Sequence, residues 1–266
     1  MAKVFLSAGH GGKDPGAAAF GLKEKTINLN ILKACRDELK RHDVTVVCSR
    51  TTDENDPVSD EVKEANTSNA DIAVSFHTNA GGGDGSETYY YPGDEKGEKL
   101  AKLCEKYTKR IGQNSRGIKS GKHLHFINST NMTAVLCECA FVDNDKDNNI
   151  IDTTAEQKKF GVAYAKAILE FLGIKYKEAS TTKTETTKTH TTSDDDGSFK
   201  VKVEIKNLNI RKGPGTNYGV VGKYTGVGTF TIVDTAKGPG ASKWGLLSSY
   251  RKKRNGWISL DFAKRI

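Results

Sequence analysis

The sequence predicts an α/β region, a sheet sandwiched by helices, followed by a linker and a small all-β barrel. Three observations carry this. Short apolar runs alternate with helix-period segments over residues 1–174, residues 175–198 hold almost nothing to bury, and residues 199–266 break into β-type runs punctuated by Gly, Pro and Asn. A chain of 266 residues is long enough for two cores, so two folded domains and a connecting segment are expected.

Taken in order, residues 4–8 read as a buried strand that ends in Gly9-His10-Gly11-Gly12 and delivers one imidazole into a loop. Ile27, Ile31, Leu32, Cys35 and Leu39 then recur at helical spacing between Glu24 and Lys40, which buries one face and sets Glu24 in the first turn. Residues 44–48 form a short buried strand. Asp56-Pro57 reads as an N-cap with proline at the first helical position, opening a helix with Val58, Val62 and Ala65 inward. Residues 72–76 are a second apolar run, ending at His77, and a glycine-rich loop and the strand-forming residues 87–91 follow. Leu100, Leu103, Cys104, Tyr107 and Ile111 mark a helix that stops at Gly112. Residues 123–127 and 134–141 read as two more strands, and a last amphipathic helix runs from about Ala155 to Leu172.

The charge is unevenly divided. Residues 199–266 hold 14 Lys and Arg against three acids, a net of +11, while the remainder, with 27 against 30, stands at −3. The longest apolar runs are too short to cross a bilayer, and the first residues enter a strand instead of an apolar signal core. The expectation is synthesis in the cytoplasm without a classical export signal. Five cysteines (Cys35, Cys48, Cys104, Cys137, Cys139), odd in number and set among apolar positions, match no disulfide framework and read as buried thiols. Cys137 and Cys139 alternate with Glu138, so they face away from whatever Glu138 faces. The Thr/Ser/Lys-rich linker reads as flexible, with a root-mean-square span on the order of 25–30 Å.

Candidate chemistry gathers at strand ends. His10 and His77 each close an apolar run, and Glu24 opens a helix. Two imidazoles and one carboxylate, with a fourth position left to water, is the ligand count of a catalytic zinc site. Each residue also has an ordinary reading, as a packed core histidine or a favourable charge at a helix N-terminus. Glu138, midway along an apolar strand, is either a proton carrier for hydrolysis or the partner of a Lys or Arg, because an unpaired buried charge is costly.

Gly9-His10-Gly-Gly-Lys-Asp-Pro-Gly-Ala, Glu24-Lys25 with Asn28-Leu29, Ser75-Phe76-His77-Thr78-Asn79, Arg116-Gly117-Ile118-Lys119, and the stretch from Ala134 through Glu138 to Asn144 occur here in succession. Through them the first 173 residues resemble the zinc-dependent N-acetylmuramoyl-L-alanine amidases of the amidase-3 type. The resemblance implies a twisted, mostly parallel sheet flanked by helices, one zinc ion held by His10, Glu24 and His77, and Glu138 as catalytic acid and base. It also implies the reaction: hydrolysis of the peptidoglycan amide between the lactyl group of muramic acid and L-alanine of the stem peptide. Three positions depart from the family pattern, Ser7 where an acid is usual, Glu61 for an arginine and Ala140 for a glycine.

Residues 208–222, Trp244-Gly245 and Gly256-Trp257 are similar to bacterial Src-homology-3-like cell-wall-binding domains. That resemblance implies anchoring to the wall, with Tyr218, Tyr224, Trp244 and Trp257 either stacking on glycan or peptide or filling the small core. The basic residues 251–254 are either a solvated hairpin or a contact for anionic wall polymers. A phage or prophage endolysin, acting at the wall after release and causing lysis, is the expected biology; a host mother-cell autolysin has the same chemistry. A non-catalytic wall-binding protein is disfavoured by Glu138 standing with all three candidate ligands. Nucleic-acid binding fits the charge alone and lacks a recognised module, so peptidoglycan is the expected partner, with no nucleic acid and no membrane insertion.

Overall fold

A computed structural model describes residues 2–178, 199–248 and 256–266. By contacts the chain divides into two compact units, Met1–Ser180 and Thr181–Ile266.

In the first unit β1 (Lys3–Ala8) leads through the hairpin β2 (Ala18–Ala19) and β3 (Leu22–Lys23) into α1 (Glu24–Lys40). There follow β4 (Thr45–Cys48), α2 (Val58–Thr67), β5 (Ile72–Asn79), β6 (Ser86–Tyr90), α3 (Glu95–Arg110), β7 (Ser115–Ser120), α4 (His125–Ser129), β8 (Thr133–Phe141), α5 (Asp145–Ile151) and α6 (Thr154–Phe171). One sheet has the order β4-β1-β5-β8-β6-β7. Its strands pair in parallel except where β6 runs antiparallel to β8, so the expected α/β layering is present as a mixed sheet.

The strands read as unbroken apolar runs because both faces are covered. Val4, Leu6 and Ala8 of β1, Ile72, Val74 and Phe76 of β5, and Val135, Cys137 and Cys139 of β8 pack with α1, α3 and α6. The intervening Phe5, Ala73, Ala134 and Leu136 face α2 and α4. All four of the cysteines at positions 35, 104, 137 and 139 are buried and free, and Cys48 is partly buried. Helix α6 is fixed at its start by a capping box between Thr153 and Glu156, a device worth about 1 kcal/mol.

Three local expectations are corrected. Residues 123–127, expected as a strand, enter α4, and the missing strand is β7. Five residues of alternating type do not separate a strand from a helical turn, while β7 hides its nature behind Gly117, whose φ is 85°. The N-cap of α2 is Pro57 and not Asp56, with no side-chain cap. Val58 is exposed, leaving Val62 and Ala65 as the inward residues.

The second unit is all β: β9 (Phe199–Val203), β10 (Asn209–Arg211), β11 (Val220–Tyr224), β12 (Gly228–Gly238), β13 (Ala241–Ser248), β14 (Gly256–Ser259) and, after a 3-10 turn, β15 (Ala263–Arg265). These form one sheet in the order β11-β10-β14-β13-β12-β9-β15, with Val201, Val203, Leu208, Ile210, Ile232, Leu247 and Ile258 in its core. Of the two readings open for Trp244 the core one holds: it is 2% exposed and its indole N–H donates to the Gly238 carbonyl at 3.3 Å. Tyr218 and Tyr224 are exposed and Trp257 is partly buried. Residues 179–198, the bulk of the expected linker, and the basic residues 251–254 lie outside the described residues. Among the described residues no helix is long and apolar enough to cross a membrane.

Candidate active site

The side chains singled out by the sequence meet at the carboxyl ends of β1, β5 and β8, the edge at which open α/β sheets hold ligands. His10 follows β1 in a left-handed backbone conformation with φ 67°, which a non-glycine residue keeps only when its surroundings over-determine it. Those surroundings are specific. Gly11 and Asp14 exchange backbone hydrogen bonds at 3.0 Å each. The buried Arg50 guanidinium donates to the carbonyls of Ala8 (2.8 Å), Gly9 (3.4 Å), Lys25 (2.8 Å) and Thr52 (3.1 Å), tying the His10 loop to the start of α1. Asn28 Nδ2 also donates to Gly9, at 3.1 Å.

Within this frame Asp14 Oδ2 accepts from His10 Nδ1 at 2.8 Å, which fixes the ring and turns Nε2 toward Glu24 Oε2, 3.3 Å away. Glu24, in the first turn of α1, is buried; it accepts from the backbone N–H groups of Ala17 (2.8 Å) and Thr78 (3.0 Å). Its Oε1 lies 3.1 Å from His77 Nδ1 on β5. One ligand atom from each of His10, Glu24 and His77 lies within 4.8 Å of the others, and this is the metal-capable cluster found among the described residues.

Gly9 makes the convergence possible, because a Cβ there would stand 2.1 Å from His77 Cε1 and 2.2 Å from Nε2. Gly9→Ala is therefore expected to push the imidazole off Glu24 and to lower amide hydrolysis by about 10²-fold, a loss of the size that follows a misplacement of about 1 Å. Turnover of the folded variant checks it; an unchanged rate would separate Gly9 from the site.

Electrostatics bind the three groups into one unit. The Glu24 hydrogen bond raises His10 to a pKa of about 9, against the burial that lowers it. Burial lowers His77 too, but the Glu24 hydrogen bond and the neighbouring carboxylates raise it overall. Burial would raise Glu24, yet the hydrogen bonds from His10 and His77 hold it well below the usual carboxylate range. The same donor atoms that here share protons are those a dication would take up.

Glu138 of β8 pairs in register with His77 on one side and with Glu87 of β6 on the other. Among the described residues its Oε2 is buried and has no hydrogen-bond partner. Burial pushes its pKa up to about 7. The Lys or Arg partner that sequence left open is taken instead by Glu87, which accepts from Arg116 Nε at 2.6 Å and Lys119 Nζ at 2.5 Å. Among the described residues Glu138 thus forms no salt bridge with a Lys or Arg; the charges that act on it are those of His77 and His10 and of the carboxylates Glu24 and Glu87.

Two of the departures from the family pattern turn out to be partners. Ser7 Oγ donates to Glu61 Oε2 at 2.6 Å, both residues being buried, so the two departures meet in one hydroxyl–carboxyl hydrogen bond. Asp14, Asn28, Arg50 and Glu87 carried no role in the sequence reading. Asp14 and Asn28 each had a local signal, four residues after a candidate ligand (His10 and Glu24) and within a motif of the family.

Residues 4–170 match the family model described as N-acetylmuramoyl-L-alanine amidase. The chain belongs to that family. Among its amidase relatives, the sporulation-specific N-acetylmuramoyl-L-alanine amidase of Bacillus subtilis is 31% identical over 212 residues, 78% of this chain and 79% of that one. The endolysin of Bacillus phage SPP1 is 37% identical over 187 residues, 67% of this chain and 69% of its own length. The catalytic domain of the amidase CwlV from Bacillus (Paenibacillus) polymyxa superposes with a TM-score of 0.61 at 32% identity, covering 66% of this chain and all of that domain. The amidase fold is accordingly the one built here around β1, β5 and β8.

Proposed function

We propose that this amidase holds one zinc ion on His10, Glu24 and His77 and employs Glu138 as its acid and base, cleaving peptidoglycan between N-acetylmuramic acid and L-alanine. The donor set fits the metal: two imidazoles and one carboxylate, gathered within 4.8 Å, leave a coordination position for water and substrate. The observation that carries the reading is the buried, unpartnered Oε2 of Glu138 on the strand beside His77. A buried carboxylate oxygen without a donor is costly unless a reacting group uses it.

When bound, zinc supplies Lewis acidity toward the scissile carbonyl and lowers the pKa of a water. Glu138 would take a proton from the attacking water and deliver it to the alanine nitrogen as the amide bond breaks. Asp14 keeps His10 in the tautomer that presents Nε2, and Arg50 holds the loop that carries it.

The second unit serves as a wall anchor of Src-homology-3-like type, in which the exposed Tyr218 and Tyr224 and the partly buried Trp257 stack on glycan or peptide, and excess positive charge draws anionic wall polymers. The biology is that of a phage or prophage endolysin, supported by 37% identity to the phage SPP1 endolysin. A host autolysin is the second reading, favoured by the relative named as sporulation-specific.

One digestion tests both units. Zinc-loaded enzyme is expected to release new α-amino groups of L-alanine from walls without new reducing sugar ends; reducing ends in their place would overturn the reaction. A chain truncated after Lys175 is expected to lose more activity on intact walls than on soluble fragments, and equal losses would remove the anchoring role.

A further inference from the structure

Glu87 is more heavily engaged than a structural carboxylate needs to be. Its side chain is 3% exposed, and four groups donate to it: Asn79 Nδ2 (3.1 Å), Tyr89 OH (2.7 Å), Arg116 Nε and Lys119 Nζ. Burial pushes Glu87 up, but the bonds from Lys119 and Arg116 outweigh it and hold the group ionised, below the usual carboxylate range. Both cations converge on one oxygen, Oε2. One negative charge therefore meets two positive ones, and the trio keeps a net positive charge.

That charge faces outward. The side chains of Arg116 and Lys119 are 38% and 36% exposed. Each lies over an aromatic ring, Arg116 at 5.0 Å from the centroid of Phe141 and Lys119 at 6.0 Å from that of Tyr89. Among the described residues Arg116 uses only Nε in a side-chain hydrogen bond, so its terminal fork is open for a planar anion. Two cationic heads pinned in place but short of acceptors have lost their rotamer freedom before a ligand arrives.

Location names the ligand. His77, Glu138 and Glu87 form a row across β5, β8 and β6, so Glu87, which grips the two cations of β7, stands one strand spacing, about 5 Å, beyond Glu138. Extended peptide advances about 3.3–3.6 Å per residue, which brings an anion one residue past the cleaved amide within reach. On the muramoyl side the lactyl carboxyl is consumed in the amide itself, so the nearest free carboxylate belongs to the peptide. Resting on the reaction proposed above, we propose that Arg116 and Lys119, held by Glu87, form an anion subsite for a free carboxylate on the stem-peptide residue that follows L-alanine. The subsite also orients the substrate, with the peptide running toward β6 and β7.

The test uses the zinc-loaded full chain and two synthetic muramoyl peptides that differ only in that residue, one with the free carboxylate and one with its primary amide. The free acid is expected to be cleaved with a kcat/KM about tenfold higher or more, the scale of one charge-assisted hydrogen bond. Arg116→Gln and Lys119→Met should each bring the ratio toward one, and Lys119→Arg should retain it. A ratio near one in the unmodified enzyme, which depends on no variant, or a ratio preserved in both variants, overturns the subsite alone. Failure to cleave either peptide, with reducing ends appearing from walls, overturns the reaction and the subsite with it.

Discussion

Glu138→Gln is expected to lower amide hydrolysis by about 10²–10⁴-fold, the range that general acid–base catalysis contributes. The carboxamide keeps the size of the carboxyl group but does not carry a proton from water to the leaving nitrogen. The variant should bind zinc as the unmodified chain does, because Glu138 stands outside the cluster of His10, Glu24 and His77. Stability separates this role from a structural one. Breaking a paired, buried carboxylate costs several kcal/mol, whereas Glu138 Oε2 has no partner to lose among the described residues. In chelated protein the variant should therefore be no less stable than its parent. A thermal midpoint lowered by many degrees, with activity lost in proportion to unfolding, would return Glu138 to a structural role.

Removing the metal is the second large effect. Chelation is expected to bring hydrolysis to background and added zinc to restore it. The first unit should also lose stability: a ligand present at about 1,000 times its Kd contributes about 4 kcal/mol to the folded state. For a unit of 180 residues that corresponds to a fall in Tm of about 8–16 °C. The fall should be absent in His77→Ala, which has already lost a ligand. An unmodified chain whose activity and Tm ignore chelation would contradict the site.

The parts of this fold that were legible in the sequence are those set by local patterns. Helix α1 has the bounds that its apolar spacing implied, Glu24 to Lys40, because an amphipathic period writes its length directly into the chain. The buried strands β1, β5 and β8 were visible as unbroken apolar runs, and their ends placed His10 and His77; Glu138 showed as a charge inside such a run. What escaped depends on segments far apart in the chain. Arg50 satisfies its guanidinium with carbonyls from three separate segments, and no neighbour in sequence announces that. Ser7 and Glu61 each looked like an isolated departure, and only the 2.6 Å bond between them makes them one change. Glu87 sits in a strand with poor alternation, and its cations arrive from β7, whose Gly117 obscured the strand itself. In the second unit an indole at a β position has the same sequence signature whether it faces ligand or core, and the burial of Trp244 decides for the core.

The most direct test is the zinc content of three purified chains after zinc loading and gel filtration. The account predicts one zinc per chain in the unmodified protein, one in Glu138→Gln, and none retained by His77→Ala. An unmodified chain that emerges without zinc, or a His77→Ala variant that keeps it, would contradict the convergence of His10, Glu24 and His77 on a single ion.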